Sequence, residues 1–288
     1  MNDHRKLGRE LELSGTDPLI GTGLPYWLPA GAAVRHALEE YLRELECQAG
    51  YQHVCSPALA RRELYEISGH WSHYHDGMYS PMELGGEQVV LRPSLCPHHA
   101  LVYRSRGRSY RELPLRLAEL GGQYRAELSG VLGGLTRVRA MQLNDAHVFC
   151  TPDQVADEAS AALAMIGQAY AALGIEPIRY RLSLPGPGGK YVGSPHIWER
   201  SAAVLTQILA DAGVSYEIGE GEAASTGLRS MCRWPTARSG RRPCPPSRST
   251  STSPSSLTCT TSARTGPGTA RSWCTAASWA PWSGRSRT

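Results

Sequence analysis

The sequence predicts an α+β fold in which helices pack on an antiparallel β-sheet. Three observations predict it. Residues 1–224 alternate strand-like and helix-like segments without the strict strand-helix repeat of a doubly wound sheet. Residues 119–150 hold two strand-like pieces joined by a Gly-rich loop, the short connection that antiparallel neighbours allow. At Ser225 the composition changes within one residue, so the sheet is expected to be incomplete and followed by a disordered tail over 225–288.

Taken in order, residues 3–14 read as a short helix leading into a Gly/Pro turn at 21–25. A long amphipathic helix follows, with Val34, Leu38, Tyr41, Leu42 and Leu45 at helical spacing and Gly50 where a C-terminal cap belongs. Residues 51–57 alternate like a strand and stop at Pro57, and residues 59–67 read as another short helix. His70, His73 and His75 invite a metal reading, but the spacing lacks i, i+4 logic and no Cys or carboxylate pair completes it. Residues 89–99 read as a strand entering a turn, with Cys96 at the strand end; a lone Cys there is most simply a small buried hydrophobe.

Thr151, Pro152 and Gln154 spell a capped helix start, and the helix carries Val155, Ala162, Leu163 and Ile166 inward before Gly174. Residues 179–184 alternate as a strand. The loop 185–190 lacks the spacing of a phosphate-binding loop and reads as a turn. Residues 197–212 form the last amphipathic helix, with Val204, Leu205, Ile208 and Leu209 on one face and Gly213 as its stop.

The stretch 119–150 carries the chemistry. It sets Arg125, Glu127, Arg137, Arg139, Asp145 and His147 among Gly and apolar residues, and strand alternation aims alternate side chains at one face. A guanidinium fork suits phosphate oxygens, so one reading is a phosphate-binding hairpin. The other is a surface hairpin whose charges are simply solvated.

Bulk composition narrows the classes. A chain of 288 residues with 41% hydrophobic content can bury a core. No apolar run approaches a membrane span and the N-terminus lacks a signal-peptide core, so a cytoplasmic protein with no membrane partner is expected. The net charge of +4 hides a split: 225–288 contain ten Arg and no Asp, Glu or Lys, which leaves 1–224 at −6. Eight scattered Cys without paired spacing fit a reducing compartment.

The tail also lacks His, Ile, Val and Asn yet is rich in Trp and Cys, unlike ordinary disordered tails. It has the composition of a GC-rich gene read in the wrong frame. Shifted by one nucleotide, the codons from residue 225 permit FYGPKIDVQVA, an alternating strand, and those from residue 273 permit MVHRSILGSMER.

Residues 3–224 resemble the catalytic core of threonyl-tRNA synthetases, a class II aminoacyl-tRNA synthetase family. The resemblance runs through DHRKLG at 3–8, SGHW at 68–71, RPSLCPHH at 92–99, YRELPLRLAE at 110–119, RVR at 137–139, NDAH at 144–147 and GEGEAA at 219–224. Both shifted-frame strings resemble the family too. The resemblance implies a class II synthetase-type antiparallel sheet flanked by helices, with Pro57 in the dimer-forming motif 1 and 119–150 as motif 2. It implies ATP and Mg2+, with Arg125 on the α-phosphate as the catalytic residue, Glu127 on adenine, Arg137 on a phosphate and Met141 beside the adenine. It further implies Zn2+ held by Cys96 and His147, and Asp145 accepting the threonine hydroxyl, which lets a site reject isosteric valine.

The partners implied are threonine, ATP and tRNA(Thr), in a homodimer. Departures from the family pattern are Met141 for a stacking Phe, Leu143 for Gln, Asn144 for Asp and His98 for Gly. The third zinc ligand, a His, and the motif 3 Arg fall in the shifted region and are missing, so zinc is expected to bind weakly and activity to be impaired. The resemblance covers the core alone, so neither the editing domain nor the anticodon-binding domain is expected in the chain. Alternative readings of the same body are a stand-alone relative that charges a carrier protein or small molecule, and a non-catalytic dimerising fragment.

Overall fold

The computed structural model describes residues 4–175, 179–186, 195–221, 228–233, 256–259, 261–264 and 271–274. Its centre is the hairpin formed by strands Leu115–Tyr124 and Ala140–Phe149, paired antiparallel over their whole length from Leu115 opposite Phe149 to Tyr124 opposite Ala140. A short strand, Gln52–His53, adds to Leu115–Tyr124 in parallel. The two faces of this sheet are covered differently, and alternation decides how. Even-numbered side chains meet the long helices: Arg116 makes a bidentate pair with Glu158 of Val155–Ala172 at 2.6 and 2.5 Å, and Asn144 Nδ2 donates to Glu46 of Pro29–Gln48 at 2.8 Å. Odd-numbered side chains face the helix Cys96–Arg104, where Leu115, Leu117 and Phe149 pack with Val102 and Tyr103. Tyr103 stacks on Phe149 with ring centroids 4.4 Å apart.

The helix Pro29–Gln48 ends as its sequence requires. Gly50 takes φ +80°, its N–H donates to Cys47 O at 3.0 Å, and the Tyr51 N–H donates to Glu46 O at 2.9 Å, the paired bonds of a Schellman cap. At the other end Gly31 lies so close to Leu13 that a Cβ would stand 1.9 Å from the Leu13 carbonyl oxygen. Val34 and Leu38, expected on its inward stripe, are exposed, whereas Leu45 is buried. The helix begins at Pro29, and Gly31, Leu45 and Glu46 are its buried residues.

A second sheet orders Leu59–Arg61, Glu87–Leu91 and Met82–Leu84, all antiparallel. It corrects the expected helix over 59–67: Leu59, Ala60 and Arg61 pair with Leu91, Val90 and Val89, and the helix begins only at Arg62. A third sheet places Arg179–Leu184 between Tyr216–Glu220, parallel, and Leu228–Arg233, antiparallel, with Ser256–Cys259 beyond. Helix Pro195–Asp211 connects the parallel pair and buries Leu205, Ile208 and Leu209 against Leu182 and Ala159. The described residues therefore form an α+β fold in which a strand-helix-strand crossover, 179–220, sits inside a mainly antiparallel arrangement. Of residues 225–288, expected to be disordered, four stretches carry strand backbone: Leu228–Arg233, Ser256–Cys259, Thr261–Arg264 and Arg271–Cys274. The remainder of the tail, and most of the loop expected at 185–190, lie outside the described residues.

Candidate active site

The odd face of the hairpin changes character along its length. Past the apolar end, Glu119, Gln123, Met141, Asp145 and His147 follow on the same side, with Glu119 opposite Asp145 and Gln123 opposite Met141. Helix Cys96–Arg104 lies over this face with its first turn at the polar end. Cys96 is therefore the first helical residue rather than the strand end that the sequence suggested; the strand stops at Leu91. This docking brings ligand atoms of Cys96, Asp145 and His147 within 4.8 Å of one another. Gly121 makes the approach possible, because a Cβ there would meet Leu95 at 2.8 Å and Arg92 at 2.9 Å.

A buried polar network fixes the polar end. Arg92, 3% exposed, donates from Nε to Gly122 O at 2.6 Å and from one terminal nitrogen to Glu119 Oε1 at 3.0 Å. Its other terminal nitrogen reaches Ser56 Oγ at 2.6 Å, Ser56 O at 3.0 Å and Pro57 O at 3.1 Å. Ser56 in turn donates to Glu119 Oε2 at 2.7 Å, and His99 Nε2 lies 3.3 Å from the same oxygen. Burial alone would raise the Glu119 pKa, but hydrogen bonds from His99 and Ser56 and the Arg92 charge bring it down to about 2. Glu119 is thus an ionised acceptor.

That charge state fixes the first link to the imidazoles beyond it. Glu119 has no proton to give, so His99 donates to it from Nε2. His147 Nδ1 stands 2.8 Å from His99 Nδ1. Burial pushes His147 down to about 4, with Asp145 opposing that shift and His99 adding to it, and the ring is neutral. Its Nε2 is buried without a hydrogen-bond partner among the described residues. Burial, and then the Asp145 carboxylate, push the Cys96 thiol up. Gln123 Nε2 donates to Asp145 Oδ2 at 3.3 Å. A neutral imidazole, a thiol and a carboxylate around one point are the donor types of a zinc site.

At the far end of the hairpin, Arg125 continues the pairing, its N–H donating to Arg139 O at 2.9 Å. Glu127 is 9% exposed and accepts two bonds from Arg137, at 3.0 and 2.8 Å. Arg139 closes the loop by donating to Glu127 O at 2.8 Å and Thr22 O at 3.1 Å. The structure thus gathers Cys96, Asp145 and His147 at one end, sets Arg125, Glu127 and Arg137 at the other, and leaves Met141 between them on the sheet. Sequence reasoning gave no role to Arg92, His99, Glu119 or Gln123. One signal was available: alternation puts Glu119 on the face of Leu115 and Leu117, and a carboxylate there requires a partner.

Among the His cluster, His70 sits between Ser68 Oγ and Ser94 Oγ, each 2.9 Å from a ring nitrogen, while His73 and His75 are exposed. None of the three joins a metal-ligand group among the described residues. His98, where the family resemblance calls for Gly, is buried beside Tyr65, and burial followed by Arg92 pushes it down to about 4.

Residues 80–218 match the family model for the tRNA synthetase class II core domain (G, H, P, S and T). A threonine–tRNA ligase of Geobacillus sp. (strain WCH70) is 48% identical over 227 residues, 78% of this chain and 35% of that protein. One of Streptococcus pyogenes serotype M5 (strain Manfredo) is 49% identical over 228 residues, with the same shares. The solved RNA binding domain of threonyl-tRNA synthetase from Cryptosporidium parvum Iowa II is similar at TM-score 0.72 and 33% identity, covering 80% of this chain and 56% of that one. The Aeropyrum pernix threonyl-tRNA synthetase ThrRS-1 shares the fold at TM-score 0.72 and 24% identity, covering 95% and 58%. Over residues 80–218 the chain thus matches the class II tRNA synthetase core, in a fold that solved threonyl-tRNA synthetases share. The curated relatives it matches are threonine–tRNA ligases, and the chain spans about a third of their length, 35%.

Proposed function

We propose that residues 1–224 are the threonine-activating core of a threonine–tRNA ligase, and that residues 225–288 are translated out of frame and leave its activity impaired. The observation that carries this is the single sheet face on which Cys96, Asp145 and His147 converge beside Gln123 and Met141, with Arg125 further along the same hairpin. In the reaction, a threonine carboxylate oxygen attacks the α-phosphorus of ATP. A carboxyl O–P bond forms as the bond to the bridging oxygen breaks and pyrophosphate leaves; a terminal ribose hydroxyl of tRNA(Thr) then attacks the threonyl carbonyl, forming an ester as the anhydride bond breaks and AMP leaves with its electron pair.

Arg125 holds the α-phosphate and offsets the charge that builds there, the kind of preorganised contact worth on the order of 10²-fold in rate. Glu127 contacts the adenine. Arg137 is held by Glu127 and takes up a phosphate by exchanging one anionic oxygen for another. Asp145 accepts the threonine hydroxyl. Where zinc is bound by Cys96 and His147, it supplies a Lewis-acid grip on the amino and hydroxyl groups of threonine. The same reading carries a homodimer through the Pro57 segment and residence in the cytoplasm; among the described residues no helix is long and apolar enough to cross a membrane.

The frame reading is supported by the extent of the sequence match, 78% of the chain, which is close to the share of the chain that precedes Ser225. It is tested by sequencing the coding DNA and by ATP–pyrophosphate exchange with threonine. The chain as written is expected to exchange about 10²-fold or more slowly than one with a single nucleotide restored near codon 225. Robust exchange by the chain as written, or the lack of a long open frame after restoration, overturns it.

A further inference from the structure

We propose that Asp145 completes a three-donor divalent metal site with Cys96 and His147, with His99 and Glu119 as positioning residues. This deepens the reading of the same pocket but is decided by metal binding alone, so failed pyrophosphate exchange leaves it standing. On sequence grounds only two zinc ligands survived, and two are too few. The fold adds a third, because alternation aims Asp145 and His147 at one side of their strand and helix Cys96–Arg104 lays Cys96 across them.

Each donor is prepared by a neighbour. His147 offers a buried Nε2 with no hydrogen-bond partner among the described residues, and its ring is held from the Nδ1 side, where His99, itself bonded to Glu119, stands 2.8 Å away. Asp145 has Oδ2 held by Gln123, which steadies the carboxylate as hydrogen bonds to ligating carboxylates do. Charge also favours the set. A thiolate and a carboxylate neutralise a divalent cation in a site where an uncompensated charge is costly. The Cys96 proton leaves to solvent as the metal enters.

The trade is chemical. A carboxylate bound to the metal no longer accepts a substrate hydroxyl on that oxygen, so a metal site built this way loses part of its means of telling threonine from valine.

Cobalt(II) titration of the full chain reads the site directly. A near-ultraviolet thiolate-to-cobalt band and visible bands of tetrahedral intensity are expected, reversed by stoichiometric zinc. Cys96→Ser removes the thiolate band. Asp145→Asn and Asp145→Ala weaken binding by about ten-fold or more and change the visible bands. His99→Phe weakens binding by about 10- to 100-fold with the thiolate band retained, as expected for a supporting partner. His75→Ala, at an exposed position, changes nothing. X-ray absorption of the zinc-loaded wild-type chain keeps the proposal testable if a variant misfolds: one sulfur with nitrogen and oxygen neighbours is expected. No cobalt binding by the folded chain, a spectrum and affinity unaltered in both Asp145 variants, or a zinc shell of several sulfurs overturns it.

Discussion

Arg92 does more for the architecture than any residue assigned a role in the reaction. It joins the Ser56–Pro57 turn to both the Gly122 backbone and the Glu119 carboxylate from a position 3% exposed. Its planar fork supplies three nitrogens in fixed directions, which a lysine ammonium cannot reproduce. Replacing Arg92 by Met leaves Glu119 ionised and buried without its cation. Breaking a buried pair in this way costs about 3–5 kcal/mol. Arg92→Lys keeps the charge but loses the geometry, and a smaller loss is expected. Urea unfolding of both variants measures this, and an unchanged midpoint in Arg92→Met would show that the network contributes nothing. Asn144 is explained at the same scale. Where the family resemblance calls for Asp, a second carboxylate would face Glu46, whereas the amide donates to it at 2.8 Å and opposes the upward push that burial gives Glu46.

Among the elements, those whose information is local were legible. The hairpin follows from period-2 alternation on either side of a Gly-rich loop, and the caps at Gly50, Thr151 and Gln154 follow from short-range chemistry. What was not legible depends on distant partners. Residues Leu59–Arg61 are a strand because Glu87–Leu91 offers them a ladder, a contact that overrides local helical preference. Likewise, resemblance could assign roles to single residues on recognisable motifs, whereas the partnership of Arg92, Ser56, Glu119 and His99 joins three stretches, at 56, 92–99 and 119, and exists only once they are packed.

The helix Pro29–Gln48 carries a prediction of this scale. Gly31 permits its first turn to touch Leu13, whose carbonyl is already held by the Leu28 N–H at 3.0 Å and has no freedom to turn aside. Gly31→Ala gains helix propensity but forces the helix away from that carbonyl. A net loss of about 1–3 kcal/mol is expected, as for other overpacked sites. A thermal midpoint equal to or above that of the parent would contradict this.

For the molecule as a whole, the interior strand Arg179–Leu184 has a consequence of its own. One flank is satisfied by Tyr216–Glu220 and the other by Leu228–Arg233, which lies beyond the point where the composition breaks. Main-chain ladders ask little of side chains, so this flank can be closed by sequences of very different composition. Ending the chain at residue 224 removes that cover and bares a row of unpaired amides, the kind of edge along which proteins associate. Light scattering should then find larger species than the full chain forms at equal concentration; identical profiles would refute this. On the out-of-frame reading proposed above, an extension that supplies such a cover would mask its own defect: it would hide the exposed edge by which a protease or chaperone would single the product out.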